Sequence, residues 1–208
     1  TYSEGLDDLG YFIEKVAGIP FDKFRKTRIF DPLGMEDTWF YLPKSKEDRL
    51  VSVQQKIDGK WQKYPVTFYD TDYPKKGAQT FFSGGAGLSS TAKDYATFLQ
   101  MYLNQGELNG VRLLSRTTVQ TILSNQIGDI MKGGKNYGLA FGLVNQLGQD
   151  LGGDGSVGTF DWGGYFNTQY FADPQEQIIG IIMKQTQGDV KDDTGWEFRQ
   201  MVGASIDN

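Results

Sequence analysis

No histidine and no cysteine occur in this chain of 208 residues. The first absence rules out a Ser-His-Asp triad and any imidazole-ligated zinc. The second rules out a Cys-His dyad and a disulfide. If the chain carries out acyl transfer, its proton carrier must be Tyr, Lys, Asp or Glu. Basic residues are the minority: 21 Lys and Arg against 26 Asp and Glu leave a net charge of −5. Nothing supplies the cationic surface that a phosphate backbone needs, so nucleic acid is not expected as a partner. No apolar run approaches the ~20 residues of a membrane-spanning helix, so no membrane span is expected either. The lack of cysteine leaves the redox compartment open.

Glycine, by contrast, is abundant. The chain has 27, well above the usual ~7%. They cluster at Ser83-Gly84-Gly85-Ala86-Gly87, Gly133-Gly134, Gly152-Gly153 and Gly163-Gly164. Such clusters mark tight turns and places where backbones come close.

Periodicity sets out the elements. Leu6, Leu9, Ile13 and Val16 share one face of a helix over 5–17, ended by Gly18. Pro20 suits the first turn of a second helix, stopped by Asp31-Pro32-Leu33-Gly34. Residues 36–80 have weak periodicity, with a hairpin predicted at Asp58-Gly59 between 51–57 and 60–66. A strong helix is expected over 91–104, with Thr91 and Asp94 spaced as a capping box. Ser115 suits the N-cap of a helix to about residue 124. Strands follow at 137–145, 157–161, 168–172 and 177–184, with Asp173-Pro174 turning between the last two. A final helix over 196–206 offers Trp196, Met201, Val202 and Ile206 as contacts. Consecutive strands joined by short turns predict an α+β fold, an antiparallel sheet flanked by helices. No repeat or linker divides the chain, so 1–208 reads as a single domain.

Four segments carry chemistry together. They are Tyr2-Ser3-Glu4-Gly5-Leu6-Asp7-Asp8-Leu9-Gly10, then Ile29-Phe30-Asp31-Pro32-Leu33-Gly34-Met35 with Asp37-Thr38, then Phe82-Ser83-Gly84-Gly85-Ala86-Gly87-Leu88-Ser89-Ser90-Thr91, and Trp162-Gly163-Gly164. In this order they resemble the serine beta-lactamase-related hydrolases: class C beta-lactamases, DD-peptidases and esterases on that fold. The first segment is similar to the esterase branch, with Tyr-Ser, three variable residues, Asp and a Leu-Gly pair. The lactamase branch prefers Asn where Glu4 stands. The resemblance implies a beta-lactamase/transpeptidase-like fold and an acyl-enzyme mechanism. It implies no metal and no cofactor, and a small-molecule ester or amide substrate. An exported or periplasmic bacterial location is compatible with it. Because the first motif starts at the second residue, the chain is expected to be the later part of a longer enzyme. The Ser-x-x-Lys nucleophile would then lie upstream, that N-terminal segment would be a partner, and this chain alone would be inactive.

The resemblance makes Tyr2 the general base. A free phenol has a pKa near 10, so Tyr2 needs a neighbouring cation to ionise it, which in the family is the lysine of Ser-x-x-Lys. On its own Tyr2 is a phenol at a helix start. Trp162-Gly163-Gly164 would lie on or beside an edge strand and bind substrate, with the Tyr165 N–H as an oxyanion donor. Trp162 stands where lactamases carry Lys, which favours esters over substrates gripped by a carboxylate. The bland alternative is a Gly-Gly bulge.

One Ser-x-x-Lys does occur, at Ser90-Thr91-Ala92-Lys93. On a helix, Tyr95, Phe98, Leu99 and Tyr102 centre an apolar stripe opposite Lys93. Lys93 is thus expected in solvent, protonated and unable to activate a serine. A capping role for this segment is expected instead. The acidic residues Asp189, Asp192 and Asp193 lack an EF-hand pattern and read as a solvated loop. The competing functions are a beta-lactamase or DD-peptidase, a non-catalytic binding module on the same fold, and a self-sufficient binding domain.

Overall fold

The computed structural model describes residues 4–65, 67, 69–77, 81–188 and 192–206. Their contacts fall into two compact units. One comprises 1–52 and 64–97, the other 53–63 and 98–208.

In the first unit, helix α1 (Gly5–Ala17) ends as expected at Gly18, whose φ of 68° is left-handed and whose N–H returns to the Glu14 carbonyl. The Glu14 carboxylate then accepts the Phe21 N–H at 2.9 Å and so caps helix α2 (Phe21–Arg25). One π-helical turn joins α2 to α3 (Asp31–Leu33), and Gly34 closes it at φ 70°. Phe21, Phe30, Leu33, Met35 and Phe40 form this unit's core. Burying each such side chain is worth about 1.5–3 kcal/mol. Gly10 lets the Phe21 ring lie against α1: a Cβ there would be 3.0 Å from the ring. The predicted apolar face of α1 is different. Leu6, Leu9 and Val16 are more than half exposed, and only Gly10 of this helix is buried. A short helix α4 (Tyr73–Lys76) and the start of α5 (Ala92–Leu103) complete the unit.

The second unit opens with strands β1 (Gln54–Ile57) and β2 (Lys60–Lys63), the predicted hairpin. Asp58 and Gly59 both have positive φ, 49° and 76°, as a two-residue turn of this kind requires. A small hairpin, β3 (Glu107–Leu108) and β4 (Val111–Arg112), follows α5 and precedes α6 (Arg116–Ile122). Ser115 caps α6, accepting the Thr118 N–H. The main sheet is antiparallel throughout, in the order β5-β6-β7-β8-β9. Its strands are β5 (Lys135–Tyr137), β6 (Gly142–Val144), β7 (Phe160–Gly163), β8 (Thr168–Asp173) and β9 (Ile178–Met183). Helix α7 (Gln146–Leu151) sits between β6 and β7 in the chain, and α8 (Thr194–Ala204) closes the unit. Strand β10 (Thr186–Gly188) leaves the main sheet and pairs in parallel with β1.

Two expectations are corrected. The stretch 137–145 is not one strand: residue 137 ends β5, Gly138 donates to the Phe141 carbonyl and folds the chain back, and only 142–144 forms β6. In α8 the expected contacts Trp196 and Met201 are exposed, while Gly195 and Arg199 are buried. One face of the sheet meets the end of α5, where Tyr102, Phe141 and Phe160 form a ring cluster with centroids 5.1–6.0 Å apart. Successive residues of a strand face opposite ways, so Asp161 points to the other face. There α8 covers it, with Arg199 over the Phe171 ring.

Candidate active site

Strand β7 carries two of the expected substrate-binding residues, Trp162 and Gly163, and the third, Gly164, follows it directly. Asp161 is its last residue paired on both sides, with Gly142 of β6 and Phe171 of β8. Beyond it Trp162 and Gly163 pair only with Tyr170 and Gln169 of β8. The C-terminal half of β7 is therefore an edge within the sheet, and Tyr137 lies edge-on to Trp162 at 5.4 Å. Gly164 starts the turn to β8, donating to the Thr168 carbonyl at 2.7 Å and accepting from the Asn167 N–H. Tyr165 belongs to that turn, just past the strand. Its carbonyl accepts from Gln187, and its ring stands 5.1 Å from Phe166. The two glycines differ. A Cβ on Gly164 would lie 2.3 Å from the Thr168 hydroxyl, so a side chain there would have to turn that hydroxyl aside. On Gly163 the nearest atom would be 3.2 Å away, so its bare backbone is less constrained from within.

Behind this edge lies an ionic group that sequence reasoning missed. The Asp161 carboxylate accepts from Arg199 of α8 and, at 2.6 Å, from Lys135 of β5. Arg199 also donates to the Asp154 carbonyl oxygen and lies 3.5 Å from the Asp154 carboxylate. Arg199 is 8% exposed. Two cations and two anions leave the group neutral. It lines a concavity of about 370 Å³ together with Tyr137, Trp162, Gly163 and Trp196. The signal for it in the sequence was an arginine amid the apolar positions of the last helix, which alone does not name a partner.

In the first unit, Tyr2 lies outside the described residues. The helix it precedes is tied to the glycine-rich loop. Asp7 accepts from the Ser83 hydroxyl at 2.7 Å and from the Gly85 N–H at 3.0 Å. A Cβ on Gly84 would lie 2.1 Å from the Leu6 carbonyl oxygen. The loop glycines thus answer to close backbone contact with the start of α1.

The internal Ser-x-x-Lys is a capping segment. Thr91 accepts the Asp94 N–H at 3.2 Å. The reciprocal half of a capping box is absent. Asp94 instead turns inward, buried, and accepts the Asp37 N–H at 2.7 Å and the Thr38 hydroxyl at 2.9 Å. Ser90 shares a 2.7 Å hydrogen bond with Thr38, and Lys93 is exposed. Of the acidic run, Asp189 lies outside the described residues. Asp192 holds Lys184 and accepts the Thr194 N–H at the start of α8. Among the described residues no three such side chains gather as a metal site, and no helix is long and apolar enough to cross a membrane.

Comparison with known proteins shows the family and the fold. The family model described as Beta-lactamase matches residues 2–204. Protein Rv1367c of Mycobacterium tuberculosis is 29% identical over 197 residues, covering 89% of this chain and 48% of the relative. The lovastatin esterase of Penicillium rubens is 29% identical over 227 residues, covering 97% of this chain and 55% of the esterase. The chain thus spans about half the length of these curated relatives. The structure of simvastatin synthase from Aspergillus terreus superposes with a TM-score of 0.81 at 19% identity, over 100% of this chain and 56% of the synthase. At that identity the likeness shows a shared fold, of mixed helix and antiparallel sheet.

Proposed function

The chain belongs to the beta-lactamase family, and from that premise we propose that the protein is a serine hydrolase working through an acyl-enzyme on esters or small amides, in the manner of a carboxylesterase. The nucleophile in this reading belongs to a Ser-x-x-Lys other than Ser90–Lys93. Its oxygen adds to the substrate carbonyl carbon while Tyr2 takes its proton. Tyr2 then gives that proton to the departing alkoxide or amine. Water repeats the cycle and releases the acid. The Tyr165 N–H helps to hold the oxyanion, and Trp162, Gly163 and Gly164 bound the substrate site.

One observation supports the reading: among the described residues, the half of β7 bearing Trp162 and Gly163 pairs with β8 alone, and in this reading a substrate lies along its other edge. Trp162, 41% exposed, puts an aromatic surface where lactamases present a cation. That suits a neutral acyl group better than a substrate carboxylate.

The test is made on the full-length protein. We expect kcat/KM for 4-nitrophenyl butyrate to exceed that for benzylpenicillin by a wide margin; the reverse order would reject the esterase reading for a lactamase or DD-peptidase. Tyr2→Phe should lower kcat at least about a hundredfold while shifting the melting temperature by only about a few degrees. Retention of most activity would remove Tyr2 from the mechanism.

A further inference from the structure

Helix α8 reaches the candidate site from behind, through two contacts. Arg199 grips Asp161, the residue immediately before Trp162. Gly195 sits against Gln169, the β8 partner of Gly163: a Cβ there would be 1.7 Å from the Gln169 Oε1. The same helix thus touches the strand that carries the Trp-Gly-Gly segment and the strand that supports it. Arg199 also holds Asp154 in the chain leading into β7. The grip falls where it has most leverage. Asp161 is the last residue of β7 with a strand neighbour on each side; among the described residues Trp162 and Gly163 pair with β8 alone, and the turn beyond them is also held by β10, through Gln187 on the Tyr165 carbonyl and the Thr186 N–H on the Phe166 carbonyl. Strand β6 makes room for the carboxylate with Gly142, where a Cβ would be 2.8 Å from the Asp161 Oδ1.

An ion pair buried this deeply is a poor device for stability. Replacing such a pair with apolar residues of similar volume is often neutral or stabilising. What a buried, multiply bonded arginine does provide is fixed geometry. We propose that Arg199 is a positioning residue of the hydrolase: acting through Asp161, it sets where the overhanging half of β7, and with it the Trp162–Tyr165 segment, lies. The proposal rests on the serine-hydrolase reading for its kinetic consequence, but the structural consequence stands apart from it.

Because Arg199→Ala would strand the Asp161 carboxylate and endanger folding, the test uses the paired variant Asp161→Leu/Arg199→Met in the full-length protein. Two measurements are made, each against thermal melting. Ester turnover should show kcat down by about ten- to a hundredfold, the effect of a small misplacement, with KM changed by less than about threefold and the melting temperature at or above the starting value. Hydrogen exchange of amides 162–168 should be faster than in the unmodified protein. Arg199→Lys, which keeps one charge but not the two-sided grip, should fall between. A paired variant that keeps kcat and the exchange of 162–168 would overturn the proposal and leave the pair as packing. If the unmodified protein turns over no ester, the hydrolase reading fails, and the exchange of 162–168 still decides the positioning claim.

Discussion

Asp7 and Asp161 each hold a glycine-bearing segment, and they do so with different partners. Asp7, in the first unit, accepts from a serine hydroxyl and a backbone N–H. Asp161, in the second, accepts from Arg199 and Lys135 and is buried. A carboxylate satisfied by neutral donors can lose one of them at modest cost, about 1 kcal/mol for a typical hydrogen bond. A carboxylate buried among cations cannot be removed alone, since its partners are left charged in a poorly solvated place. The first arrangement lets a loop adjust. The second fixes a strand.

The largest expected effect breaks the second arrangement. Asp161→Ala should lower stability by about 3–5 kcal/mol by urea unfolding, because Arg199 keeps its charge with its main partner gone. A loss below about 1 kcal/mol would mean that Asp161 is held no more firmly than Asp7. Next comes the close approach in the first unit. Gly84→Ala should cost about 1–3 kcal/mol as the loop moves off the Leu6 carbonyl. Faster exchange should be confined to the start of α1 and residues 82–88. Unchanged stability would show that this contact is slack.

Asp173 extends the neutral-donor case into pH. Burial raises its pKa, but the N–H groups of Ser156, Glu176 and Gln175, with help from the Thr159 hydroxyl, lower it more, and the net value is below the ordinary carboxylate. The folded state therefore prefers the ionised form. Its contribution is full above the unfolded pKa, about 3.9, and is lost as pH falls through the lower folded value. The stability gap between the unmodified protein and Asp173→Asn should accordingly be about 1 kcal/mol near neutrality and narrow on acidification below about pH 4. A gap that widens would reverse the sign. The smallest effect belongs to Ser90→Ala, which removes a hydroxyl bonded to Thr38. Stability should change by less than about 1 kcal/mol, and ester turnover should stay within a few-fold. Stoichiometric labelling of Ser90 by a fluorophosphonate would make it the nucleophile after all.

Much of the fold was legible because its signals are local. Gly18 and Gly34 end helices by adopting positive φ, and Asp58-Gly59 makes the turn its dipeptide announces. Thr91 and Ser115 cap helices from within the same turn. Lys93 lies in solvent because the apolar stripe of α5 is on the far side. Signals that need a distant partner were misread or missed. Leu6, Leu9 and Val16 give a helical period but do not say what covers it, and among the described residues it is uncovered. The stretch 137–145 alternates Tyr, Leu, Phe and Leu in the manner of one strand, and Gly138, which marks the return, was read as part of it. Trp196 and Met201 look like core residues, yet Arg199 took the buried place.

The sequence by itself determined the longer helices, the Asp58-Gly59 turn, several helix ends and the family's motifs, since capping, turn geometry and periodicity act over a few residues. Without histidine or cysteine, it also limited what this chain itself can contribute to proton transfer to hydroxyl, amine and carboxylate groups. Tertiary structure alone decided that β10 crosses to pair with β1, that β7 outruns β6 after Asp161, and that Asp161 meets Arg199 across 38 positions. These depend on charge burial and strand register between segments far apart in the chain. Such pairings are settled by the free energy of the assembled sheet, which no short window of residues contains.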